Sequence, residues 1–165
     1  MHPPSAARFR LVLAKEDFKF SAAHFTLLPE FRSELLHGHN YRVRLELVGA
    51  GLDEEGLLID VERLKKHVRA ACARLDSRTL LPAQSTRLEW REVGAEIEVR
   101  LGERRYLIPQ ADVLMLPLVN TSMELLAGML WRELLPRVAG GRIEWFCVSV
   151  EEAAGQRCSY EGAVG

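Results

Sequence analysis

The sequence predicts an α+β fold in which an antiparallel sheet carries two helices on one face and a β-meander is inserted between the helices. Three observations lead there. Apolar residues alternate with polar ones towards both ends of the chain, they recur at helical spacing in two inner stretches, and short alternating runs separated by glycine lie between those stretches.

Met1 to Ala7 carry two prolines among small residues and read as a loose leader. From Arg8 to His24 the pattern is extended, with Phe18, Phe20, Ala22 and His24 on one face. After a loop containing Pro29, the residues His37, His39, Tyr41, Val43, Leu45 and Leu47 share a face, and Asn40, Arg42, Arg44 and Glu46 share the other. That is a strand with one covered and one wet side. Gly49 to Gly56 supplies turn chemistry, and Asp60 stands at the N-cap position before Val61, Leu64, Val68, Ala71 and Leu75, predicting a helix over Val61 to Leu75.

A second helix is announced by Thr121, with Glu124 three residues on in a capping-box arrangement, followed by Leu125, Leu126, Met129, Leu130 and Leu134. Pro136 and Gly140 end it. Between the helices, Leu88 and Trp90 alternate, Val93 and Gly94 turn the chain, Ile97, Val99 and Leu101 alternate again, and Arg104 to Pro109 returns as a third strand. The insertion spans about residues 83–118. Ile143 to Glu152 reads as a strand and Arg157 to Glu161 as a short closing one. The 165 residues, 48% hydrophobic, suit one compact domain over 1–165.

Composition narrows the function. Net charge is −1 with both signs interspersed, so no basic stripe exists for a nucleic acid or an anionic membrane. The longest apolar runs, such as Gly56 to Ile59 and Val113 to Val119, are too short to span a bilayer, and a cytoplasmic location is expected. Cys72, Cys147 and Cys158 are odd in number and widely spaced, which fits reduced core thiols.

The chemistry lies in the histidines. His37 and His39 alternate on one strand and project the same way, and His24 ends another strand whose core face it shares. Three neutral imidazoles converging from two strands suit zinc and leave a fourth position for water or substrate. A bare HxH pair is a weak signal, more often two satisfied core imidazoles than a metal site; the longer pattern decides. It runs Phe20-Ser21-Ala22-Ala23-His24, His37-Gly38-His39-Asn40-Tyr41, then Leu58-Ile59-Asp60-Val61. This resembles the signature of the 6-pyruvoyltetrahydropterin and 6-carboxytetrahydropterin synthase family, from about Phe18 to Leu75 and again from about Asn120 to Tyr160.

The resemblance implies a tunnelling-type fold that closes barrels on oligomerisation, as a trimer or hexamer. It also implies zinc held by His24, His37 and His39, and a pterin substrate bound at subunit interfaces. It further implies a glutamate near the C-terminus that accepts hydrogen bonds from the pterin edge. Of Glu151 and Glu152, the latter shares a face with Val148 and Val150 and has the family's spacing to Tyr160, so Glu152 is preferred. Ser122 and Glu124 lie in the stretch that resembles the family's helix-opening motif; Glu124 is a pterin contact, a cap, or both.

Two family features are missing. A cysteine usually precedes the HGH motif, but here the stretch is Arg32-Ser33-Glu34-Leu35-Leu36, and a serine hydroxyl is too weak a base unaided. Glu34 instead forms Glu-x-x-His-Gly-His, which resembles variants that use a glutamate there. The usual Leu-Asp-His relay is Leu75-Asp76-Ser77, which keeps Asp76 but not the histidine. Glu34 or Asp76 is therefore expected to handle protons. The meander is an edge decoration or oligomer contact, or a lid offering Trp90 and Tyr106. The expected activity is a zinc-dependent lyase acting on the side chain of 7,8-dihydroneopterin triphosphate or a related reduced pterin. The alternatives are a non-catalytic pterin or purine binder of the same family, and a hydrolase or isomerase using zinc-bound water.

Overall fold

Strands near both ends of the chain and two inner helices build the fold, as the periodicity requires, in a computed structural model that describes residues 7–165. The expected leader falls almost wholly on residues 1–6, outside the described residues. In chain order the elements are β1 (Phe9–Leu13), β2 (Lys19–His24), β3 (His37–Gly49), α1 (Val61–Leu75), β4 (Arg78–Pro82), β5 (Glu89–Val93), β6 (Glu96–Leu101), β7 (Arg104–Pro109), β8 (Val113–Leu116), α2 (Met123–Val138), β9 (Ile143–Ala153) and β10 (Gln156–Ala163). No helix among the described residues is long and apolar enough to cross a membrane.

The long strand β3 organises everything else. Tyr41, Val43, Leu45 and Leu47 on its covered face are all buried, as period-2 alternation demands. β1 pairs with its far half, Leu13 opposite Leu45, and β2 with its near half, His24 opposite His37. The extended stretch expected from Arg8 to His24 is thus two strands sharing one partner, separated by a turn before Phe18. β9 flanks β3 on the other side and carries β10, giving the order β10-β9-β3-β2-β4-β8 with β1 also on β3.

The main sheet is mixed, where alternation alone suggested antiparallel pairing throughout. β4 adds parallel to β2, and β8 parallel to β4, with Thr79 opposite Val113 and Pro82 opposite Leu116. The physical reason is the crossover: parallel neighbours need a connection of about a dozen residues or more, and the meander supplies it. Both strands are short, β4 with apolar residues only from Leu80 to Pro82 and β8 apolar throughout, and neither alternates, which hides them from a periodicity search.

α1 begins where expected: Asp60 caps it, its carboxylate accepting from the Arg63 amide at 3.1 Å. α2 departs from expectation at both ends. Its N-cap is Ser122, with no side-chain cap bond, and it runs through Pro136 to Val138, the proline removing the amide that would donate to the Arg132 carbonyl close to the helix end. The faces bearing Leu64, Val68 and Leu75 and bearing Leu126, Leu130 and Leu134 meet the covered face of β3 in one core. Each such side chain contributes roughly 1.5–3 kcal/mol on burial.

The meander forms a separate antiparallel sheet, β5-β6-β7. Ile97, Val99 and Leu101 pack against Phe25 and Leu81, with Leu36 and Tyr106 at the margin of this second core. Its outer face buries Glu98, 2% exposed, beneath Arg91, Arg100 and Arg105. The three guanidiniums hold the Glu98 carboxyl down to about 2.

Candidate metal centre

The register of β2 on β3 brings the histidines together. His24 lies opposite His37, and His39 is two residues along on the same face. Ring centroids are 4.8 Å apart for His24 and His37, 5.3 Å for His24 and His39, and 4.6 Å for His37 and His39. One ring nitrogen from each lies within 4.8 Å of the others.

Two of the rings are oriented by backbone carbonyls. His24 Nδ1 bonds the Thr121 carbonyl at 2.9 Å and His37 Nδ1 bonds the Leu35 carbonyl at 2.8 Å. A carbonyl only accepts, so each Nδ1 carries the proton and each Nε2 keeps its lone pair. Metal-ligating histidines commonly donate their other ring N–H to such a carbonyl.

The Nε2 atoms then face one another in a way that suits a cation. His24 Nε2 is buried and without a hydrogen-bond partner in the chain, and His37 Nε2 meets His39 Nε2 at 2.8 Å. A buried orphan nitrogen is costly unless something completes it. Burial pushes the His24 imidazole below its ordinary value, the Thr121 carbonyl only partly opposing, so the ring favours the neutral form a metal requires. The donor set fits zinc, with three nitrogens and an open side.

Glu34 stands at the rim of this cluster. Its Oε2 lies 4.0 Å from His37 Nε2 and accepts from the Thr26 amide at 3.1 Å. Partial burial pushes this carboxyl up, but the Thr26 amide and the neighbouring imidazoles outweigh it, and the net shift is downward. It is therefore ionised at neutral pH and able to accept a proton.

Asp76 is placed differently. Its Oδ1 accepts from the Ser21 amide at 2.6 Å and its Oδ2 from the Ser77 hydroxyl at 3.2 Å, so within one chain it ties the end of α1 to the wet side of β2. Ser77 itself adopts a left-handed φ of 57°. Glu152 follows Val148 and Val150 on the covered face of β9. Because Arg42 pairs with Glu151, Tyr41 and Glu152 come next along the ladder, on the histidine side. The Tyr41 hydroxyl is raised by burial first and then by the charges of Glu152 and Glu34. Glu151 instead lies with Arg42, Arg44 and Arg157 beside a cleft on the opposite face.

Ser122 and Glu124 open α2 directly after Thr121. Glu124 is exposed and makes no capping-box bond. The capping reading of Thr121 gives way to a long-range one: its hydroxyl donates to the Phe25 carbonyl at 2.8 Å while its own carbonyl holds His24. Asn120 adds two bonds to the backbone of Leu27, at 2.9 and 3.0 Å. These supports were missed from sequence because a residue before a helix suggests a local cap first.

The meander's aromatic residues are committed elsewhere. Tyr106 stacks on Phe25 at 6.2 Å, and Trp90 lines an outer cleft with Arg91, Glu98 and Arg100. The cysteines are free: Cys72 and Cys147 are buried, and burial pushes Cys72 up to about 12 and raises Cys147 and Cys158 as well. No thiol is available as a base at neutral pH.

Comparison with known proteins gives a consistent result. The sequence profile of the 6-pyruvoyl tetrahydropterin synthase family matches residues 13–163. A Methanocaldococcus jannaschii protein provisionally named 6-carboxy-5,6,7,8-tetrahydropterin synthase is 28% identical over 145 residues, covering 86% of this chain and 88% of the relative. Among solved structures, a Plasmodium vivax 6-pyruvoyltetrahydropterin synthase, bearing a glutamate-to-alanine change at a catalytic residue, superposes with a TM-score of 0.89 at 27% identity. It covers 96% of this chain and 99% of its own. The Plasmodium falciparum 6-pyruvoyl tetrahydropterin synthase gives 0.89 at 26% identity with the same coverage.

Proposed function

Since the chain belongs to the 6-pyruvoyl tetrahydropterin synthase family, we propose that it is a zinc-dependent lyase acting on the side chain of 7,8-dihydroneopterin triphosphate or a closely related reduced pterin, with Glu34 moving the proton. The observation that carries this reading is the Glu34 carboxylate 4.0 Å from His37 Nε2, at the open side of the histidine cluster, where no thiol stands. That a catalytic residue of the Plasmodium vivax relative is a glutamate supports it.

His24, His37 and His39 hold the metal through Nε2, and bound zinc supplies Lewis acidity that makes a side-chain hydroxyl or the adjacent C–H easier to deprotonate. Glu34 accepts that proton from the exposed side, its carboxylate oriented by the Thr26 amide. Glu152 accepts two hydrogen bonds from the pterin's amino and ring N–H groups, fixing the side chain towards the histidines. Ser122 and Glu124, at the start of α2, bound the same pocket. Asp76 is the reserve proton acceptor, reached in an assembly rather than within one chain.

The assembly follows from the sheet. Its path ends in β10 and β8, each paired on one side only among the described residues, and such edges invite pairing with another copy. We therefore expect a homotrimer or hexamer in the cytoplasm.

Anaerobic incubation of zinc-loaded protein with 7,8-dihydroneopterin triphosphate, read by mass spectrometry, tests the activity; unchanged substrate sinks it. Glu34→Gln should keep zinc and lose turnover by about 10²–10⁴-fold. Normal turnover in Glu34→Gln beside a dead Asp76→Asn transfers the role to Asp76. A monomeric mass at micromolar concentration defeats the assembly.

A further inference from the structure

We propose that the inserted three-stranded sheet is a brace for the base-bearing loop, with Arg104 and Arg87 as positioning residues that act through Glu34; the inference rests on the reading of Glu34 as the proton acceptor.

The loop between β2 and β3 needs such support. It turns through Glu30 and Phe31 at φ 56° and 57°, the left-handed region that side-chain-bearing residues disfavour. Its own backbone closes it with three bonds, the Leu28 amide to the Arg32 carbonyl at 3.0 Å, the Arg32 amide to the Pro29 carbonyl at 3.2 Å and the Glu34 amide to the Thr26 carbonyl at 3.0 Å, leaving the Leu28, Ser33 and Glu34 carbonyls to other partners. Phe31 at its tip is 90% exposed, so apolar burial does not anchor it there.

Two half-buried arginines of the insertion supply the missing partners. Arg87 donates from Nη1 to the Leu28 carbonyl at 2.7 Å and from Nη2 to the Arg32 carbonyl at 2.6 Å, bridging the two limbs. Arg104 donates from Nη1 to the Glu34 carbonyl at 2.6 Å, and from Nη2 to the Ser33 carbonyl at 3.2 Å and the Ser33 hydroxyl at 2.5 Å. A planar guanidinium can span adjacent acceptors where an ammonium cannot. Arg104 thus fixes the main chain of the residue whose carboxylate reaches Thr26 and His37. The same sheet packs its apolar face on Phe25 and Leu36, the chain neighbours of His24 and His37. Base and ligands are therefore registered against one rigid body.

Four variants test this in the zinc-loaded full-length protein. Arg104→Gln should lower kcat by about 10–100-fold with KM and zinc stoichiometry unchanged, as expected for a displacement of about 1 Å. Arg104→Lys should recover part of the loss. Hydrogen exchange across residues 26–36 should quicken in Arg104→Gln and stay as in the parent in Arg105→Gln, whose arginine serves the outer face and whose turnover should be unaltered. In a Glu34→Gln background, Arg104→Gln should have no further effect on turnover, because a positioning residue has nothing left to position.

An equal loss of turnover in Arg105→Gln, additive losses in the double variant, or unchanged exchange over 26–36 in Arg104→Gln overturns the brace. Should Glu34→Gln prove fully active, the assignment of the base fails on its own, and the exchange comparison still decides whether Arg104 orders the loop.

Discussion

The Nδ1 of His24 donates to the carbonyl oxygen of Thr121 at 2.9 Å, across 97 positions of sequence, joining the end of β2 to the entrance of α2. The bond fixes which nitrogen faces the cluster, and it is doubled by the Thr121 hydroxyl on the Phe25 carbonyl. Support for the ligand thus comes from a residue that is not itself a ligand.

Thr121→Val keeps the shape and deletes the hydroxyl, leaving the Phe25 carbonyl buried without its donor. It should cost about 1–3 kcal/mol of stability. It should also weaken zinc binding by about 10-fold through loosened support of His24. Thermal unfolding and a zinc competition titration read the two effects; an unchanged melting temperature counts against the buried bond.

Glu152→Gln should raise KM for the pterin by about 10–100-fold, the worth of a charge-assisted hydrogen bond of about 1.5–3 kcal/mol. Glu151→Gln, on the opposite face with Arg42 and Arg157, should leave KM alone. Reversal of that pattern in steady-state kinetics assigns the anchor to Glu151.

The buried Tyr41 hydroxyl has no hydrogen-bond partner in the chain. Tyr41→Phe removes that penalty while keeping the stack on Phe20 at 4.7 Å, so the ligand-free protein should melt about 2–4 °C higher. A lower melting temperature would mean that the hydroxyl is satisfied in solution.

Glu98 gives the meander a pH dependence of known sign. Its carboxyl is held at about 2 in the folded protein against an ordinary 4.5, so its contribution is complete above pH 4.5 and is lost as pH falls through 2. Amide protection factors in β5–β7, taken relative to the intrinsic exchange rate at each pH, should fall over that window, and Glu98→Gln should flatten the response. A parent protein whose meander keeps the same protection factors at pH 5 and pH 2.5 rules this out.

Much of the centre was legible in sequence because strand alternation has a period of two. His37, His39, Tyr41 and Val43 had to share a face, and the same parity separated Glu152 from Glu151. Asp60 was legible because an N-cap is a local device. What escaped was long-range. Thr121 serves Phe25 and His24 rather than its own helix, and the arginines at 87 and 104 serve carbonyls more than fifty residues away. β4 and β8, short and parallel, carry no alternation to find, and nothing local at Glu30 or Phe31 signals a left-handed backbone.

The parallel pairing of β4 with β8 also limits how the protein can evolve. Because Pro82 lies beside Leu116 and not beside Val113, the chain leaving β4 must travel back about 10 Å, three residues of strand, before β8 can begin. A deletion that trims residues 83–112 to a tight turn would therefore strand β8. A lineage that discards the meander must lose the edge strand with it or substitute another crossover long enough to span that return.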